Sequence, residues 1–273
     1  MKNYKKVTLG RYPQSKVSDQ KTKKRLLKIA GEKPTSLNYH SWQPFEYIKN
    51  YEYENQLPSA FYQDISLDGE MYRGVIFLKF RSKEYRLNMT LPMQPCNQYF
   101  TNRIYWFKWE PIIWLVINDK NKEKTLLSEY IIESHQYHDK ESIKDDENPD
   151  VINWLNLHFL RTSGLEDLND PIDYEQKDFV KSKISIPSFE FISKYFEKNN
   201  PLRSAKTTDY ACALGANTKG YCEYWVIDRR NSYFGFLECP DYNAKYNYSL
   251  VTDTGQGIRP CIISRRIHID YFK

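Results

Sequence analysis

The apolar pattern of this chain is mostly that of short strands, with helical spacing in a few places. Its densest run is Ile104–Ile117, IYWFKWEPIIWLVI, which holds Trp106, Trp109 and Trp114 with one lysine, Lys108, and one carboxylate, Glu110. Each aromatic buries roughly 150–250 Å², so this run is expected at the centre of the fold. Pro111 lacks a backbone N–H, which predicts a break into two strands, Ile104–Lys108 and Ile112–Ile117. Upstream, Val7–Gln14 reads as a first strand, with Val7, Leu9 and Tyr12 as apolar points and Pro13 as its stop. Ser18 and Asp19 can cap a helix to Ala30, closed by Gly31. Its apolar stripe is Leu26, Leu27 and Ile29; its other face carries Lys21, Lys23, Lys24, Arg25 and Lys28. Trp42–Tyr53 is expected to be extended. Phe61–Ile65 and Met71–Arg81 flank a turn at Ser66–Gly69, and Leu87–Gln98, with Pro92 and Pro95, reads as a loop.

Asn118–Lys122 predicts a turn between the tryptophan run and a strand over Thr125–Glu133. Asn148 and Pro149 place an N-cap and a first-turn proline before an amphipathic helix. Val151, Trp154, Leu155, His158 and Phe159 fall on its apolar face. Pro187–Ser188 opens a further helix, FEFISKYF, and Thr208–Leu214 forms a short one, closed by Gly215. The remaining strands are Tyr221–Ile227, Tyr233–Leu237 and Ile258–Ile263, with a Tyr/Asn-rich loop at 241–249.

Composition narrows the class. With 273 residues and 23 tyrosines against 10 glycines, the chain reads as globular and rich in β-structure. No run reaches the ~18 apolar residues that a membrane span needs. MKNYKKVTLG has no apolar core behind its basic residues, so it does not read as a secretory signal, and a cytoplasmic location is expected. The net charge of +5 is uneven. The first 35 residues hold eleven basic groups and two acids, leaving 29 basic against 33 acidic in the rest. The basic helix face could meet nucleic acid or anionic lipid, or simply be solvated. Nucleic acid is disfavoured because aromatics do not interleave with these lysines in sequence.

Most motif chemistry is weak. Cys96, Cys212, Cys222, Cys239 and Cys261 form no CxxC and read as buried thiols of a reducing compartment. His135-x-x-His138-Asp139 lacks a third ligand at matching spacing, so no metal is expected, and no cofactor. Glu110, between tryptophans, reads as a structural acceptor rather than a general acid. The richest polar constellation is Tyr224, Trp225, Asp228, Arg229, Arg230 and Tyr233, joined by Tyr246 of the 241–249 loop and by Arg259. Aromatic and arginine residues of this kind favour recognition hot spots, and tyrosine gives large contact area at low entropy cost. The bland alternative is an ordinary strand with surface tyrosines.

Several fragments, taken in order, resemble a bacterial domain family of uncharacterised function that recurs in Gram-positive bacteria. Leu9–Gln14 corresponds to its FGxYPQ start, Tyr105–Ile117 to YWFxxEPIxWxVL, and Leu126–Ile132 to LLSxxIL. Trp154–Asn156 corresponds to a WLN helix, Thr208–Ala211 to TxYA, Tyr224–Arg230 to WWLRSP and Gly257–Pro260 to GVRP. That family is similar to the C-type-lectin-like fold shared with formylglycine-generating enzymes. The resemblance implies an α+β domain with a mixed sheet, flanking helices, long irregular loops, and adjacent N- and C-terminal strands, so that Val7–Tyr12 lies beside Ile258–Ile263. It also implies one domain over 1–273, with 18–100 as an elaboration after the first strand. The copper motif of the enzymes and the calcium motifs of the lectins are not matched, so neither activity carries over.

The expected function is therefore non-enzymatic recognition of a protein or small ligand, through Tyr224, Trp225, Asp228, Arg229, Arg230, Tyr233, Tyr246 and Arg259. The alternatives are a formylglycine-generating-like oxidoreductase using Cys212, Cys222 or Cys239, and nucleic-acid binding through the basic face.

Overall fold

A computed structural model describes residues 4–35, 37–45, 58, 60–78, 99–120, 123–140, 149–166, 184–197, 200–216, 223–227, 234–238, 247–250 and 256–264. The expected extended segment beyond Phe45, the proline-rich loop at 87–98 and most of the 241–249 loop lie outside these residues. The architecture is α+β. One sheet of eight strands contains β1 (Lys6–Lys16), β2 (Gln43–Pro44), β3 (Ala60–Leu67), β4 (Glu70–Phe77), β5 (Ile104–Lys120), β6 (Glu123–Ser128), β8 (Ile184–Ser185) and β13 (Cys261–Ser264). A second sheet of five contains β7 (Glu133–Ser134), β9 (Tyr224–Val226), β10 (Phe234–Glu238), β11 (Asn247–Leu250) and β12 (Gly257–Ile258). All named pairs of the large sheet are antiparallel; β12 and β9 pair parallel in the smaller one.

The tryptophan run is the spine of the large sheet, and it does not break at Pro111: β5 is one strand of 17 residues. Register explains why the proline is tolerated. β1 pairs with residues 107–115, β4 with 104–108 and β6 with 114–120. Because β1 overlaps both of the others, β4 and β6 share the opposite edge. Pro111 falls in the interval between them, where no described strand pairs on that edge. It also faces an irregularity in β1 between Thr8 and Arg11. Gly10 occupies that bulge at φ +69, and an added Cβ would meet Ser163 O at 2.7 Å. Gln14 Nε2 donates to the carbonyls of Glu110 and Pro111, and Glu110 accepts from Ser15 N and Oγ, so it is an acceptor as expected.

Three further expectations are corrected. Thr125–Glu133 is not one strand but β6 and β7, and Ile258–Ile263 is β12 and β13. β6 pairs with β13 and β7 with β12, so a two-stranded ribbon passes from one sheet into the other. The first and last strands are not adjacent. β1 pairs with β5, β13 pairs with β6, and two strands stand between them.

Helix α1 (Gln20–Ala30) forms as expected, with Asp19 capping the Thr22 N–H. Only Leu26 and Ala30 of it are buried, while Leu27 and Ile29 flank the contact and stay exposed. Helix α2 comprises α-helical turns at Asp150–Trp154 and Leu160–Thr162 around a π-helical turn at Leu155–Phe159. Pro149 stands at its N-cap rather than in its first turn. His158 is exposed, not on the apolar face, whereas Asn156 exchanges hydrogen bonds with the backbone of Ile184. Helices α3 (Phe189–Tyr195) and α4 (Asp209–Leu214) are capped by Ser188 and Thr208. Part of the expected 241–249 loop, from Asn247, belongs to β11.

A candidate aromatic and cationic face

The β3–β4 hairpin sets the first side chains of the site. Its turn residues Asp68 and Gly69 both have positive φ, 54 and 79 degrees, a two-residue geometry that suits the strand twist. The register places Asp64 opposite Arg73 and Tyr62 opposite Val75, and β5 sets Phe107 opposite Arg73. Directly paired residues share a sheet face. The reverse face packs under α1 through Phe61, Ile65, Ile76 and Trp106. Gly74 permits this: a Cβ there would stand 2.7 Å from the Trp106 ring.

Arg73, almost completely buried, is held by both oxygens of Asp64, at 2.8 Å from Nε and 2.6 Å from Nη2. Nη1 donates to Tyr210 Oη at 3.2 Å. The guanidinium lies 4.4 Å from the Tyr62 ring centroid and 5.1 Å from that of Trp109, with Tyr12 and Tyr210 at 5.9 Å. Burial alone would favour loss of its proton, but Tyr210 and Asp64 outweigh that and hold its pKa well above the ordinary value. Beneath it, Tyr12 Oη donates to Glu133 Oε2 at 2.6 Å. Burial and the Glu133 charge push the Tyr12 and Tyr210 phenols well up, so both stay protonated.

Ring contacts run from this buried end outward. Tyr210 packs on Phe107, Phe107 on Tyr99, and Tyr99 edge-on to Tyr105 at 4.9 Å. At this end the Lys16 amine sits 4.6 Å from the Tyr99 centroid and 5.1 Å from that of Tyr105. Burial and the nearby Lys23 lower the Lys16 pKa, against Asp209. The turn after Tyr99 carries Phe100, 57% exposed, with the Arg103 guanidinium 4.9 Å over its ring. The Phe100 N–H donates to Tyr105 Oη, and Tyr99 Oη donates to the Asp209 carbonyl. The face is thus sealed at Arg73 and open at Phe100.

The residues expected to bind ligand are placed differently. Tyr224, Trp225 and Arg259 are fully buried, and for these three the expectation of a presenting surface is corrected. Arg259 lies where the ribbon changes sheets. Its Nε donates to Ser128 O, and its Nη1 to Leu202 O and Tyr224 Oη. Trp225 donates to the His135 carbonyl. Carbonyls of other segments satisfy these groups and hold them inside. Asp228, Arg229, Arg230, Tyr233 and Tyr246 lie outside the described residues, as do Cys222 and Cys239.

Asp150 joins His138 and Asp139 as a third ligating side chain that sequence spacing did not reveal. His138 Nδ1 is 2.8 Å from Asp150 Oδ2, which also accepts the Asp139 N–H. That arrangement ties the start of α2 to the chain after β7. Three ligating atoms could meet a small divalent cation, but the contacts already made account for the grouping.

Sequence reasoning missed Arg73, Asp64, Lys16 and the 99–105 turn. Arg73 had a signal: it is the cation inside the apolar run MYRGVIF, on the same strand face as Val75 and Phe77. No protein-family profile, curated protein or solved structure matches the chain. No helix among the described residues is long and apolar enough to cross a membrane.

Proposed function

We propose that the protein is a non-enzymatic recognition domain whose ligand face is the open end of this aromatic row. One observation carries the reading: Lys16 lies against two tyrosine rings beside Phe100, which is more than half exposed under Arg103. Exposed large aromatics paired with cations are the side chains that dominate binding energy at interfaces. Rigid backing makes this corner suited to recognition, since Phe107, Tyr210 and the Arg73–Asp64 pair fix the rings behind it. A C-type-lectin-like domain is the finer fold reading. It is supported by the α+β make-up, a large antiparallel sheet beside a smaller mixed one with helices alongside; the first and last strands share the large sheet without pairing. The stretch from Asp228 to Tyr246 enters the proposed surface on its tyrosine and arginine content alone.

The test is a printed array of glycans, peptides and oligonucleotides probed with the wild type and with a Phe100→Ser/Arg103→Gln variant. Both side chains are exposed, so the variant should keep the wild-type melting temperature. The expected result is at least one class retained by the wild type and lost by the variant. Identical array patterns would overturn the assignment of this corner.

A further inference from the structure

The sequence separates lysines from aromatics; the fold brings them together. Lys16 ends β1, Lys23 lies on α1, and Tyr99, Phe100, Arg103 and Tyr105 come from the turn into β5. Lys23 is close enough to Lys16 for its charge to be felt there. We propose that this corner binds single-stranded nucleic acid, with a base stacked on Phe100 and the phosphates along Lys16, Lys23 and Arg103. The inference rests on the reading of this corner as the ligand face and names the ligand class.

Three features favour that class, the first two of them over other polyanions. Cations alternate in space with rings, as on platforms where bases stack and phosphates pair without sequence preference. Phe100 projects from a turn and is more than half exposed, so it suits an unstacked base; duplex bases are already stacked on each other. α1 extends the positive charge, since Lys21, Lys23, Lys24, Arg25 and Lys28 have no acid among them. Of these, Arg25 is engaged by Asp68 at 2.6 and 2.7 Å. Among the described residues, the acid that bears on Lys16 is Asp209, whose Oδ2 accepts the Lys16 backbone N–H, and Lys16, Lys23 and Arg103 outnumber it.

The experiment is fluorescence anisotropy with labelled twelve-nucleotide oligo-dT and oligo-U, the matching duplex, and polyglutamate, from 50 to 200 mM salt. Either single strand should bind more tightly than the duplex or polyglutamate. The log–log salt slope should be about −2 for three cations at about −0.7 each. Phe100→Ala should weaken oligo-dT about tenfold, the scale of one lost stacked base, and leave polyglutamate unchanged. Arg103→Gln should lower the slope by about 0.7. Thermal melting confirms that both variants fold. Equal affinity for duplex and single strand, or an oligo-dT affinity indifferent to Phe100→Ala, overturns the proposal. If oligonucleotides fail while a glycan or peptide on the array is retained and depends on Phe100 and Arg103, only the nucleic-acid assignment falls. If no probe of either kind depends on Phe100, the ligand face falls with it.

Discussion

Acidification should destabilise this protein through His135. The imidazole is buried against Trp154, with ring centroids 5.1 Å apart, and its Nδ1 lies 2.6 Å from the Gln136 carbonyl, so Nδ1 carries the proton of the neutral ring. Burial, against that hydrogen bond and aided by His158, lowers its pKa from 6.5 to about 4. The folded state therefore holds the ring neutral where the unfolded chain would protonate it. Between pH 6.5 and 4 the unfolded chain binds one more proton at this site, so stability rises with pH there and is lost as pH falls. The fall from 6.5 to about 4, at 1.36 kcal/mol for each tenfold change in proton affinity, gives about 3 kcal/mol, a large share of the 5–15 kcal/mol typical of a domain. Urea unfolding followed by tryptophan fluorescence at pH 7.5, 6.5, 5.5 and 4.5 reads this out. His135→Gln loses some packing at every pH, but its stability should fall less steeply, by up to about 3 kcal/mol across the window. Other titrating groups are common to both proteins and cancel in the difference. Parallel curves for wild type and variant would refute the reasoning, as would an NMR titration of His135 with a midpoint near 6.5.

Two further outcomes follow from buried groups. Asp64→Ala should cost more than Arg73→Met, about 2–4 against about 1–2 kcal/mol by urea denaturation, because the orphaned guanidinium is nearly inaccessible to water while Asp64 is partly exposed; the reverse order would mean the rings, not the carboxylate, hold the charge. Cys261, its thiol pushed up to about 12 by burial, should ignore a disulfide reagent at pH 8 until the protein unfolds, and should add to a loss of stability from about pH 9 upward, where only the unfolded thiol ionises; a native thiol count lowered by Cys261→Ala would contradict this.

Local chemistry made much of the secondary structure legible. Asp19, Ser188 and Thr208 cap helices where their side chains allow it, and Gly69 marks its hairpin. What escaped was set by partners far away in the chain. Pro111 reads as a break because a lone strand loses a ladder bond at proline; the Gly10 bulge and the interval between β4 and β6 remove that cost. Leu27 and Ile29 read as core because they sit next to Leu26, but one sheet face covers only a narrow arc of α1. Arg259 reads as a surface hot spot because arginine usually stays wet. The carbonyls of Ser128 and Leu202 and the Tyr224 hydroxyl make its burial possible, and none of the three is near it in sequence.

The two arginines show why residue type alone misplaces a site. Arg259 is satisfied by neutral carbonyls and Tyr224, and its surroundings are closed, so its chemistry is spent on holding the ribbon between the sheets. Arg73 is satisfied by Asp64 and Tyr210, but its ring neighbours lead outward through Phe107 and Tyr99 to a corner that remains open. Both are buried, yet only the second backs exposed aromatic surface. A buried ionic pair adds little net stability over a packed apolar substitute. What it can add is fixed orientation, and here the oriented groups are the rings behind Tyr99 and Tyr105. The recognition reading follows from that asymmetry: rigidity is built in beneath a corner where an exposed phenylalanine and unsealed cations meet solvent.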